Sequence, residues 1–206
     1  YWDLGQSLII KAMHDGCIVA KAFCLFRGWG GVSIDEEEAY EVISETNKTV
    51  ERTPNSLALQ AFFLRIGAGC DIDIEESMRV FEVAASYNHS WSLAILAAFF
   101  QEGIAVTKDI KRALSLYQKS AKFGYCRAKY NLAEFYWDGT SVKPDQVFAM
   151  HLFRGASQQK YGRAEDKVEK ILEDMETRMS KPIKRRLSIK TARGLFGFCL
   201  PNSKKK

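Results

Sequence analysis

Apolar residues recur along the middle of this chain at the three, four and seven spacing of amphipathic helices, interrupted by glycine and reopened by aspartate. In the clearest stretch Leu96, Ala97 and Phe100 share one face, and Gly103 then supplies a stop where a left-handed backbone costs little. After a short loop Asp109 can cap a second helix, whose stripe is Ala113, Leu116, Tyr117 and Ser120. The pattern predicts helix, turn, helix. Neither stripe can be buried within one pair, so neighbouring pairs must cover it.

The unit repeats every 36 residues. Without gaps, Leu96 falls on Leu132, Ala97 on Ala133, Phe99 on Phe135, Gly103 on Gly139, Asp109 on Asp145, Ala113 on Ala149 and Tyr117 on Phe153. One period earlier stand Ala61, Phe63, Leu64, Gly67, Asp73, Ser77, Val80 and Phe81. A looser copy with small insertions carries Ala22, Leu25, Gly28, Asp35, Ala39, Val42 and Ile43. Glu38 and Glu76 follow Asp35 and Asp73 at the third helical position, the arrangement of a capping box. These copies predict at least seven helices in antiparallel pairs and no strand between residues 56 and 164. The fold class is all-α, a right-handed α-solenoid. Gly103 and Gly139 are expected to close their helices either with positive φ or by allowing a tight helix–helix approach.

The order small residue, Leu-Ala, aromatic, Gly, then Val-x-x-Asp-x-x-x-Ala and an aromatic resembles the Sel-1-like repeat, a relative of the tetratricopeptide repeat. It is carried by Leu96-Ala97, Phe100, Gly103, Val106, Asp109, Ala113, Tyr117 and Gly124, and again by Ala128, Leu132-Ala133, Tyr136, Gly139, Val142, Asp145, Ala149 and Phe153. The period favours this family over tetratricopeptide or ankyrin repeats. Ser77 stands where the second helix usually has alanine, and Lys160 replaces a glycine at the end of the fourth copy. The cysteines do not recur at the repeat period, unlike those of the cysteine-rich bacterial branch. The organisation expected is repeats over 1–164 (three clear copies and one degenerate), a C-terminal helix over 165–180 and a basic tail over 181–206, without a packed core of its own.

Charge separates that tail from the rest. Residues 181–206 hold nine Lys or Arg and no acid, so the net charge of +5 divides into a basic tail and a mildly acidic body. Hydrophobic residues make up 47% of the 206, with only four prolines, the profile of a packed helical chain. The longest apolar run, Leu93 to Phe100, is far shorter than a membrane span of about 20 residues. Cys17, Cys24, Cys70, Cys126 and Cys199 form an odd set with no C-x-x-C pair, which speaks against a zinc site and favours a reducing, cytoplasmic compartment. The triplets Asn47-Lys48-Thr49 and Asn88-His89-Ser90 are the features that would suit the secretory-pathway lumen instead.

Candidate chemistry is sparse. His14, His89 and His151 are scattered, and no nucleophile has a recognisable base beside it, so no catalytic residue, metal ligand, cofactor or small-molecule substrate is expected. Gly28-Trp29-Gly30-Gly31 follows a helix and lacks the strand, Lys and Ser/Thr of a phosphate loop; it reads as a turn. The resemblance implies a scaffold or adaptor in which the first helix of each pair lines a concave face that holds a protein or peptide. Unburied positions of those helices are then the partner-binding candidates: Phe62, Arg65, Trp91, Gln101, Tyr130, Asn131, Glu134 and Trp137, a mixture of aromatics and arginine of the kind binding hot spots use. The alternative is packing of Phe62, Trp91 and Tyr130 between neighbouring helices. In the tail, Lys184, Arg185 and Arg186 are candidate contacts for nucleic acid or an anionic membrane, and Ser188 completes a pattern of arginine-directed kinases. A tail-driven polyanion binder is therefore the second functional reading. A hydrolase, the activity sometimes attributed to bacterial relatives, is the third and has no catalytic constellation behind it.

Overall fold

The computed structural model of the protein describes residues 2–49, 52–139 and 141–180. Among the described residues there are ten helices and no strand: α1 (Trp2–His14), α2 (Ile18–Arg27), α3 (Glu36–Lys48), α4 (Pro54–Ile66), α5 (Ile74–Ser86), α6 (Ser90–Glu102), α7 (Ile110–Lys122), α8 (Cys126–Asp138), α9 (Gln146–Ser157) and α10 (Gly162–Ser180). Helices α2, α4, α6 and α8 are the first members of four pairs (A helices), and α3, α5, α7 and α9 are the second (B helices). Each helix packs chiefly against its neighbours in sequence, and four overlapping apolar clusters run from α2 to α10, which is the packing of an α-solenoid.

Small residues hold each pair together. Ala22, Ala61, Ala97 and Ala133 on the A helices, and Ala39, Ser77, Ala113 and Ala149 on the B helices, are all fully buried. With only a methyl group or hydroxyl at these sites the two backbones approach closely. Ser77 uses that proximity: its Oγ donates to the Ala61 carbonyl of α4 at 2.7 Å, so the departure from alanine leaves no unpaired buried hydroxyl. Beyond the small residues, Phe63 and Phe99 from A helices, and Phe81, Tyr117 and Phe153 from B helices, fill the space between pairs.

The A-to-B joint is the same in every copy. Gly28, Gly67, Gly103 and Gly139 each cap an A helix in the left-handed conformation, with φ between 66° and 77°. The aspartate that opens the B helix follows. Asp35, Asp73, Asp109 and Asp145 accept the backbone N–H three residues on at 2.8–3.0 Å. The capping-box expectation at Asp35 and Asp73 is met by half. The return bond from glutamate is not made, because the aspartate N–H already donates to the A helix, to Leu25, Leu64, Phe100 and Tyr136 carbonyls at 2.8–3.0 Å. Glu38 pairs with Lys21 instead, and Glu76 with Arg79. The complete capping box lies at Thr53 and Ser56 of α4.

The B-to-A joint repeats as well. Asn88, Gly124 and Lys160 stand 36 residues apart with φ of 61°, 87° and 61°, each two residues before the next helix. This register makes α10 a fifth A helix. Ala164, Val168 and Ile171 are buried as Ala128, Leu132 and Phe135 are one period earlier. Two substitutions set it apart. Met175 stands where the glycine stop would be, so the helix runs on, and exposed Glu169 stands where Ala133 meets its B helix. The helix thus begins at Gly162, before the segment 165–180 expected from sequence.

Candidate protein-interaction surface

The eight candidate residues on the A helices are all half-buried, and they fall into three groups. The first joins α4 to α6. The Phe62 ring lies 5.8 Å from Trp91 and 6.0 Å from Phe26 of α2, so Phe26, Phe62 and Trp91 form a ladder across three successive A helices. Trp91 also leans on Phe81 at 6.0 Å and His89 at 6.3 Å. Burial lowers the pKa of the His89 imidazole, whose Nδ1 is 2.8 Å from Ser92 Oγ. The Arg65 guanidinium sits 5.9 Å from the Phe62 ring, and its Nε is buried with no hydrogen-bond partner.

The second group is organised by Tyr117 of α7. Its hydroxyl donates to Gln101 Oε1 of α6 at 3.0 Å and is also hydrogen-bonded to Asn131 of α8. Burial pushes the phenol pKa up to about 12, with the Asn131 bond opposing. The third group sits on Phe153 of α9. Tyr130 and Trp137 place their rings 5.3 Å and 6.2 Å from it, and Tyr130 also touches Tyr161 at 5.4 Å. Glu134 Oε1 meets Lys167 Nζ of α10 at 2.9 Å, tying adjacent A helices together. Burial, then the Glu134 charge, raises the Tyr130 pKa.

The eight candidates therefore form three separate groups and not one continuous patch, and the first of them is the cluster of Phe62, Arg65 and Trp91. Sequence reasoning missed its continuation in the degenerate first copy, where Phe23 lies 6.3 Å from Phe26 and 5.5 Å from Trp29, and Arg27 stacks 5.5 Å from Trp29. The signal was present as aromatics in α2, but the altered length of that copy hid their register. Lys184, Arg185, Arg186 and Ser188 lie outside the described residues. Of the two sequons, Asn47 is committed inside the fold, its amide donating to Gln60 at 2.9 Å and its oxygen accepting from Ser56 at 2.6 Å, while Asn88 is exposed on a turn. Cys17, Cys24, Cys70 and Cys126 are free, and among the described residues no cluster of metal-ligating side chains occurs. No described helix is long and apolar enough to cross a membrane.

Comparison with known proteins adds the family. Residues 19–41, 92–125 and 126–161 match the Sel1 repeat; the α4–α5 pair, outside those segments, has the same joints. No curated protein sequence matches the chain. Among solved structures, a Sel1 repeat protein from Oxalobacter formigenes superimposes with a TM-score of 0.68 at 24% identity, over 75% of this chain and 62% of that one. The protein c5321 of uropathogenic Escherichia coli, a protective antigen with the same repeat fold, gives 0.61 at 20% identity, over 75% of this chain and 32% of its own. A putative Sel1 repeat protein from Klebsiella pneumoniae gives 0.50 at 14%, over 81% and 83%. The chain thus spans less than two thirds of the first two. Sel1-repeat proteins generally act as protein-interaction scaffolds and are typically non-catalytic. Three segments of the chain are thus Sel1 repeats, and its fold is the solenoid that such repeats build.

Proposed function

We propose that this protein is a scaffold that holds a partner protein or peptide on its A-helix face, centred on Phe62, Arg65 and Trp91 and flanked by Gln101, Asn131 and the Phe153 group. The observation that carries the reading is Arg65. Its Nε is buried without an acceptor beside the half-buried Phe62 ring, which in turn meets Trp91. A buried donor left unpaired costs about 1–3 kcal/mol, and a turn of the Arg65 side chain toward a partner's acceptor would recover that. Arginine and tryptophan, here on either side of Phe62, are also what binding hot spots favour. The partner segment is therefore one that brings a carboxylate to Arg65 and an apolar side chain to Phe62 and Trp91.

A random peptide library displayed on phage and selected against the intact chain supplies ligands for the test. Arg65→Ala is expected to weaken the selected peptides by roughly 30-fold, the size of a hot-spot residue, with acidic residues enriched among the binders. Arg65→Lys restores little, since a lysine lacks the planar fork. Peptides that bind Arg65→Ala as they bind the wild type would sink the proposal.

A further inference from the structure

We infer that the B-helix face, on the other side of each pair, joins two copies of this chain in a two-fold dimer. The argument starts from charge. The B helices share one register, set by the N-cap aspartates, and their outermost positions are the second, sixth and tenth residues of each helix. In α3 these are Glu37, Glu41 and Glu45; in α7 they are Lys111, Ser115 and Lys119, all exposed. Helix α3 as a whole has five glutamates against Lys48, whereas α7 has four cations and no acid. The sign therefore reverses between the first and third pairs at equivalent heights, Glu37 against Lys111 and Glu45 against Lys119. Glu37, Glu41, Lys111 and Lys119 take part in no ion pair among the described residues.

Helix α5 lies midway between them, and its tenth position departs from both. It is Val83, 41% exposed, an apolar residue where the flanking helices have Glu45 and Lys119. An apolar centre between charged flanks is the anatomy of a protein interface. A two-fold axis along α5 places Val83 against Val83 of the second copy and keeps every residue at its own height. Helix α3 of one copy then lies over α7 of the other, twice. Equal heights are the condition that the sign reversal at equivalent positions meets. A two-fold axis across the helices would instead set α3 on α3 and α7 on α7, glutamate facing glutamate and lysine facing lysine. At the centre the same rule sets Glu75 on Glu75 and Arg79 on Arg79 of the second copy, one turn apart, so each Glu75 also has an Arg79 of the other copy four residues along, and the attraction between copies comes from the α3–α7 contacts. The last turn contributes nothing, since Lys48 and Lys122 have the same sign. Such a dimer is isologous and closed, and its contacts are exposed ion pairs around a small apolar centre, so it is weak and salt-sensitive.

The test is sedimentation velocity on the full chain between about 0.01 M and about 1 M salt, where the Debye length shrinks from roughly 30 Å to 3 Å. The wild type should dimerise at low salt and dissociate at high salt. Lys111→Glu with Lys119→Glu leaves both faces acidic, and Glu37→Lys with Glu45→Lys leaves both basic; each pair of changes should raise the dissociation constant about 100-fold or more. Mixed in equal amounts, the two variants are complementary at both contacts and should form a heterodimer. Val83→Arg, which sets two cations on the axis, should abolish the dimer by a separate route. All five positions are exposed, and thermal melts by circular dichroism establish that each variant is folded. A wild type monomeric at low salt, a dimer indifferent to the reversals, or a mixture that stays monomeric would each overturn the inference. The result is independent of the Arg65 reading, because Arg65→Ala leaves this face unchanged.

Discussion

Replacing Gly69 by alanine drives a methyl carbon into the Glu36 carbonyl group, inside the backbone at the start of α3. The residue also has φ of 67°, which an L side chain adopts at a cost of about 1–2 kcal/mol. The equivalent sites one and two periods on, Ala105 and Ser141, have φ of 56° and 66° and do carry side chains, so backbone strain alone is tolerated in this loop. What distinguishes Gly69 is the backbone it touches. Overpacking of this kind costs about 1–3 kcal/mol beyond the strain, because rigid groups and not a side-chain end must move. The control is Gly124→Ala. There φ is 87° with nothing within 4 Å of the added carbon, and Asn88 and Lys160 occupy the matching sites. The expected loss is about 1 kcal/mol for Gly124→Ala and about 3 kcal/mol or more for Gly69→Ala. For a chain of this size that is roughly 2–4 °C and 6–12 °C in Tm. Thermal melts measure both, and equal midpoints would refute the claim that the first two pairs meet through backbone at Gly69.

Three further outcomes follow from contacts already described. Ser77→Ala should cost under about 1 kcal/mol in urea unfolding, since the other B helices have alanine there, whereas Ser77→Val should cost about 1–3 kcal/mol by forcing the helices apart. Stability should fall as pH rises from about 10 to about 12, because the Tyr117 phenol keeps its proton longer when folded than unfolded; Tyr117→Phe should flatten that limb in alkaline titrations followed by circular dichroism. Tyr130→Ala combined with Trp137→Ala should lower Tm by several degrees even without a partner, because both rings pack on Phe153; an unchanged melt would show that these rings are free for binding.

The central architecture was legible because its determinants are local and strictly periodic. Ala97, Gly103, Asp109 and Ala113 recur without a gap, and each has one physical job in a joint or a close helix contact. Helix α10 was not legible as an A helix because the two residues that sign the motif, the buried alanine and the glycine stop, are Glu169 and Met175. The candidate surface was harder. Residues left over from a helical stripe are not thereby exposed in a solenoid, where a second stripe meets the neighbouring pair. Tyr130, Trp137 and Glu134 are engaged with α9 and α10 in this way. Arg65 could be picked out by type, but its unpaired Nε depends on what surrounds it in space.

The uniform B-to-A turns make the molecule modular at a defined seam. Asn88, Gly124 and Lys160 present the same backbone turn to whatever helix follows, although their side chains share nothing. Residues 126–161, copied in tandem between Tyr161 and Gly162, would therefore meet a compatible turn at both ends. The duplicated unit would bring its own Ala133, Ala149 and Phe153, and α10 would close the longer array with the same Glu169 face. Length in this protein is then an adjustable quantity that can change in steps of 36 residues, and the extent of the A-helix face can be matched to a ligand without redesigning a single contact.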